Sequence, residues 1–331
     1  MRQKLLPKVD NAVLIAFGCI VLLLTLGGIA KPGFLSASYL VQQLQVAAFL
    51  GVIASGMMLV ILMGQIDLSL PWVIAMGGMM ATGASDFLGP TLGPALAIPF
   101  GLCCGLLAGL VNGVGVAYLR APSMIFTLGM NAVAQGLMVW HTGGFAPQDT
   151  ATPLMIALAS GTLIPGVPNP LLIWIVLGGA TVWMLSHTRL GRQIYAIGNK
   201  ERAVFLSGVD SRRVTLLVFA ISGGCAALGG VLLSGWANRS YQAMGDPYLL
   251  PTIAAIVLGG TNVMGGRGSY LGTIAGVILI TLLQSILSVL QPQDYFAQLG
   301  VHLPADVFRQ VVFGLVIILM MMLYGRERVS R

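Results

Sequence analysis

Long apolar runs separated by short polar stretches set the rhythm of this chain. Ten runs stand out, at about 11–30, 46–63, 71–85, 92–118, 122–141, 169–187, 214–237, 249–264, 268–290 and 305–324. A bilayer core about 30 Å thick needs roughly 20 helical residues to cross it. The runs are continuous and lack the period-two alternation of barrel strands, so they predict spanning helices. The expected fold is all-α: one polytopic transmembrane domain over residues 1–331 with about ten spanning helices.

Composition points the same way. Only 8% of the 331 residues are charged and 57% are apolar. A soluble domain carries roughly 25% charged residues, so lipid must be the main solvent here. Cys19, Cys103, Cys104 and Cys225 lie inside apolar runs and read as small packing residues, with neither a disulfide framework nor a zinc spacing. The start, MRQKLLPKVD, is basic, but no small-residue cleavage site follows the first run, which reads as a retained span. No segment is long enough for a soluble catalytic domain. No cluster of His, Asp, Glu or Cys suggests a metal, a nucleophile or a cofactor.

The basic residues orient the bundle, because cytoplasmic flanks carry the excess of Lys and Arg. With both termini in the cytoplasm, the inner segments hold Arg2, Lys4, Lys8, Arg120, Arg189, Arg192, Lys200, Arg202, Arg212, Arg213, Arg267, Arg326, Arg328 and Arg331. Only Lys31, Arg239 and Arg309 fall outside. The net charge of +7 therefore reports topology and not nucleic-acid binding. The longest outer loop, about 142–168, is rich in proline and apolar residues and is expected to pack on the bundle rim. The longest inner loop is about 188–213.

That inner loop holds the densest charge, in GNKERAVFLSGVDSRR at 198–213. Residues 199–208 predict a short helix, with Asn199 as N-cap and Gly208 as its stop. Arg202 stands at the capping-box position, so that signal is partial. Ala203, Val204, Phe205 and Leu206 give the helix an apolar side. It is either a positively charged surface flank or a docking helix for a soluble partner.

Two breaker-rich turns interrupt the apolar pattern. In GQIDLSLP, Asp67 is the one acid embedded between apolar runs, and a charge at the bilayer centre costs at least about 2.5–3.5 kcal/mol. With Ser69 it can cap the helix that opens at Pro71; alternatively it is part of a gate or touches a partner. GGTNVMGGRGS supplies Gly259, Gly260, Gly265, Gly266 and Gly268 around Arg267. It lacks the Lys-Ser/Thr ending of a phosphate loop, so Arg267 reads as an inner-surface anchor. Glycine-interrupted spans in both halves of a transporter point to the pathway. Facing inward, these turns, with Gly64, would form an inner gate. Asn131 and Gln135 share one helix face, as do Gln284 and Ser288. They are interhelical hydrogen-bonding groups or line a polar path. Trp140, beside His141, fits an interfacial aromatic belt.

Together these segments resemble the membrane permeases of monosaccharide ABC importers, the ribose/galactose/arabinose/xylose type. AIGNKERAVFLSGVDSRRV resembles the family's cytoplasmic coupling segment, with Gly198, Asn199, Ala203, Ser207, Gly208 and Val209 in register and Arg202 replacing an alanine. IAAIVLGGTNVMGGRGSYLGTIAGVIL (253–279) resembles its most characteristic run. VILMGQIDLSLPWVIA (60–75), RAPSMIFTLG (120–129) and the closing LMMMLYGRE are similar as well, with Gln65 and Pro71 standing where the family commonly has glycines. The resemblance implies a bacterial inner-membrane subunit without ATPase activity of its own. It would work as a homo- or heterodimer beneath a periplasmic sugar-binding protein. ATP-binding cassette subunits would dock at Asn199, Lys200, Glu201, Arg202, Ala203, Val204, Leu206, Ser207 and Gly208. Autoinducer-2 or a nucleoside is an alternative cargo. An ion-coupled transporter would need more intramembrane acids or histidines than Asp67 alone.

Overall fold

A computed structural model describes residues 11–290 and, beyond them, only positions 307, 308, 311, 314, 315 and 318. The expected span at 305–324 and both basic termini lie outside the described residues. Eleven helices follow in order: α1 Asn11–Ala30, α2 Ala37–Leu62, α3 Leu70–Thr82, α4 Ala84–Ala117, α5 Ser123–His141, α6 Pro153–Ser160, α7 Asn169–His187, α8 Arg189–Leu206, α9 Ser211–Ala237, α10 Leu249–Leu258 and α11 Tyr270–Leu290. Every apolar run in the described region is a helix.

Among the described residues six helices are long and apolar enough to cross a membrane, whereas α3 and α10 are short. With 13 residues, α3 extends only about 20 Å at 1.5 Å per residue. The reason is local. α2 ends at Gly64 (φ +74°) and α10 at Gly260 (φ +88°). In each, the N–H two residues past the last cap bonds back around that glycine, Gln65 to Val60 and Thr261 to Ile256. These are left-handed helix stops that a side chain would oppose.

Irregular backbone precedes each short helix, with Asp67, Ser69, Ser240, Met244 and Gly245 buried in it. Residues 63–69 leave the end of α2 and climb into the bundle before α3 starts. After α9, Thr82 bonds to Ser240, and a side chain at Gly245 would collide with the Pro71 carbonyl. The chain therefore dips back alongside α3 before α10 begins. Irregular backbone at membrane depth is tolerated where protein encloses it or where it lines water.

α9 is the central element, packed on α2, α3, α4 and α6. Its closest neighbour is α4, where Gly101, Gly105, Gly109 and Gly113 recur every fourth residue. A Cβ at each of the last three would fall on α9 between Leu216 and Ala227, and one at Gly101 on Gly77, Ala81 and Val231. Small residues let helix backbones approach this closely. The proline-rich loop at about 142–168 forms α6, which buries Met155 and Ala159.

Candidate functional site

Asp67 sits in the irregular stretch, only 2% exposed. Its Oδ1 accepts hydrogen bonds from the Ser69 amide (3.0 Å), the Ser69 hydroxyl (2.6 Å) and the Asn112 side-chain amide (3.5 Å). Its Oδ2 accepts from the Ser222 hydroxyl at 3.5 Å. The acid thus ties the α2–α3 break to α4 and α9. The expected cap is an Asx-type turn: Asp67 serves the Ser69 amide, and the Ser69 side chain caps nothing in α3.

Two further amides of the break, and one at the start of α3, are served by α5. Ile66 N–H donates to Ser123 Oγ (3.3 Å), Leu68 N–H to Thr127 Oγ1 (2.8 Å) and Trp72 N–H to Asn131 Oδ1 (3.3 Å). These acceptors recur every fourth residue and so lie on one helix face. Asn131 therefore satisfies the start of α3, behind Pro71. Gln135, expected to share its face, is exposed. On α11, Gln284 is half-buried and its carbonyl accepts from the exposed Ser288 hydroxyl (2.9 Å).

The two breaker turns and the charged loop meet at one place. Gly266 N–H donates to the Leu62 carbonyl at 2.8 Å. A Cβ at Gly64 would lie 2.9 Å from the Met264 carbonyl oxygen, and one at Gly198 would strike Leu62 and Gly266. Asn199 lies against Gly266, and the Tyr195 hydroxyl donates to the Gly268 carbonyl at 2.9 Å. The loop 262–267 closes on itself, with Asn262 N–H bonded to the Arg267 carbonyl at 2.9 Å. The Arg267 side chain is exposed, and Gly259 packs on the Gly272 backbone.

α8 replaces the expected isolated helix at 199–208. It begins at Arg189 and breaks at Lys200, whose φ of −156° and ψ of 91° are extended. Asn199 is therefore the end of a first arm and not an N-cap. Gly208 is the stop that was expected (φ +79°), with Val209 N–H bonded back to the Val204 carbonyl. Val204 is buried within this chain, because the two arms of α8 fold toward each other. It leaves the outward-facing set, which keeps Ala203 and Leu206, the latter 86% exposed. Glu201 stays exposed, and its carboxylate accepts from the Ser211 hydroxyl at 3.0 Å, at the start of α9.

Sequence reasoning missed Tyr195, Asn112 and Ser222, which reach their partners only across the fold. Ser123 and Thr127 carried a readable signal, the four-residue spacing that ends at Asn131.

Residues 39–321 match the family described as branched-chain amino acid transport system / permease component. Among curated proteins, the ribose import permease protein of Haemophilus influenzae is 31% identical over 289 residues, covering 86% of this chain and 88% of the relative. That of Bacillus subtilis is 34% identical over 281 residues, covering 83% and 84%. The D-allose transport system permease protein of Escherichia coli is 27% identical over 275 residues, covering 82% of each. No solved structure matches.

Proposed function

The chain belongs to the branched-chain amino acid transport system / permease component family, and from that premise we propose that it is the membrane subunit of an ATP-driven importer of a monosaccharide. The observation that carries the cargo class is the naming of its relatives for ribose and allose over more than four-fifths of the chain. The subunit contributes the alternating-access pathway as a single permease domain, in the bacterial inner membrane with both termini in the cytoplasm. Its partners are an ATP-binding cassette subunit, a periplasmic sugar-binding protein and a second permease copy.

In this reading the second arm of α8 docks into the ATP-binding partner through Ala203 and Leu206. The first arm ends at Gly198 and Asn199 against both breaker turns, so motion at the docking helix reaches Gly64 and Gly266 together. The turns act as an inner gate, and the Asp67 hydrogen bonds hold the α2–α3 break while the gate is shut. Gln135 and Gln284 offer the hydrogen bonds that a sugar would exchange along its path.

The test is reconstitution with the neighbouring ATP-binding and solute-binding proteins in proteoliposomes. ATP-dependent accumulation of labelled ribose or another monosaccharide, unaffected by a protonophore, is the expected result. Accumulation of leucine with no sugar uptake would reject the cargo class. Uptake driven by an ion gradient without ATP would reject the importer class.

A further inference from the structure

The fold at Lys200 creates a feature that docking does not use. Between the two arms of α8 lies an open cleft of about 370 Å³ lined by Arg189, Arg192, Gln193, Ala196, Val204, Ser207 and Val209. Its apolar wall is Ala196, Val204 and Val209, and its cationic rim is two exposed guanidinium groups.

Among the described residues, no carboxylate lies within ion-pair distance of Arg189 or Arg192. The nearby acids are engaged elsewhere: Asp210 pairs with Arg213 at 3.0 Å and caps α9, and Glu201 holds Ser211. The Ser207 hydroxyl donates to the Ala203 carbonyl, leaving its lone pairs and the Gln193 amide at the rim. Two guanidinium groups beside an apolar wall are complementary to an anion that carries aliphatic chain.

Depth selects which anion. Arg189 follows directly after α7, a helix long and apolar enough to cross the membrane, which ends at His187. Trp183, one turn before that end, is 63% exposed, where an indole marks the headgroup level. Arginine forks match phosphate oxygens, and basic pockets beside spanning helices favour anionic headgroups. We propose that this cleft binds the phosphate headgroup of an anionic phospholipid, held by Arg189 and Arg192 with the start of its acyl chains on Val204 and Val209. The inference rests on α7 crossing the bilayer and is independent of the cargo.

The test is native mass spectrometry of the full chain, delipidated and titrated with phosphatidylglycerol or phosphatidylcholine of identical acyl chains. Retention of one phosphatidylglycerol is expected, weakened about tenfold or more in the Arg189→Gln/Arg192→Gln double variant. Arg212→Gln, outside the cleft, should retain the lipid. Ser207→Glu, a surface change that supplies an anion in place, should also release it and covers the case that the double variant folds poorly. Equal retention of the two lipids, or equal retention by wild type and both variants, overturns the proposal. So does displacement by millimolar inorganic phosphate, which would mark a free-anion site. Loss of the co-purifying ATP-binding partner at unchanged lipid retention would make the cleft a protein contact and overturn it as well.

Discussion

At the scale of single residues, Asp67 concentrates the cost and the reward of this fold. Removing the carboxylate would strand the Ser69 amide in the bundle, while Asn112 keeps its 2.7 Å bond to the Ser69 hydroxyl, and an unsatisfied buried polar group costs about 1–3 kcal/mol. Asp67→Asn keeps an acceptor for Ser69 and offers Ser222 an amide donor, so assembly and most uptake should survive. Asp67→Leu should lower membrane yield and thermal stability sharply. Normal assembly of Asp67→Asn with uptake abolished would show instead that the charge itself takes part in gating. Asn131→Leu should behave as a milder version of the same lesion, measured as a loss of thermal stability, because it strands the Trp72 amide alone. The oddity of a lone acid between apolar runs was legible in the sequence. Its partners were not: Asn112 and Ser222 stand 45 and 155 residues away, and nothing local to either announces the pairing.

At the scale of elements, periodicity and punctuation divided the work. Apolar runs located the helices, and the glycines at 64, 208 and 260 marked where three of them stop. Length was harder to read. The runs at 71–85 and 249–264 are apolar enough to look like complete spans, but buried irregular backbone is as apolar as helix, so composition could not separate the two. The same limit hid the first arm of α8, since Arg189 to Asn199 looks polar until Ile194 and Ile197 find the core. The docking helix now yields a sharper expectation than its sequence did. Ala203→Glu and Leu206→Asp should leave the subunit inserted while co-purification of the ATP-binding partner falls at least about tenfold, as expected where a buried aliphatic contact worth roughly 1.5–3 kcal/mol is lost. Val204→Ala should reduce the stability of the subunit itself. If both charged variants retain the partner and transport normally, the second arm of α8 is only a solvated flank. In α4, Gly109→Leu should abolish folding, because a side chain there meets the Phe219 and Ala220 backbone of α9; a folded, active variant would contradict that packing.

Across the whole molecule, the ends of the helices sort into two groups. Residues 62–66, 123, 195–199 and 264–268 touch one another, and Arg212 stacks over the Tyr118 ring at 5.7 Å. Thr142, Asp149, Thr150, Arg239, Ser240 and Gln242 gather with Gly83 elsewhere. The first group carries the positive charge expected on the cytoplasmic side. Reporter fusions at Gly208 should therefore be cytoplasmic and those at Asp149 external; a cytoplasmic signal at Asp149 would invert the orientation. The hydroxyl row of α5 also constrains how this chain can be made. The amides of Ile66 and Leu68 find their acceptors 57 and 59 residues further along, so while α5 is still inside the ribosome they have nothing to bond. Bare amides are expensive in hydrocarbon. The break between α2 and α3 therefore gains these two hydrogen bonds only after Ser123 and Thr127 have been made, so its final geometry is set by a helix that follows it in the chain.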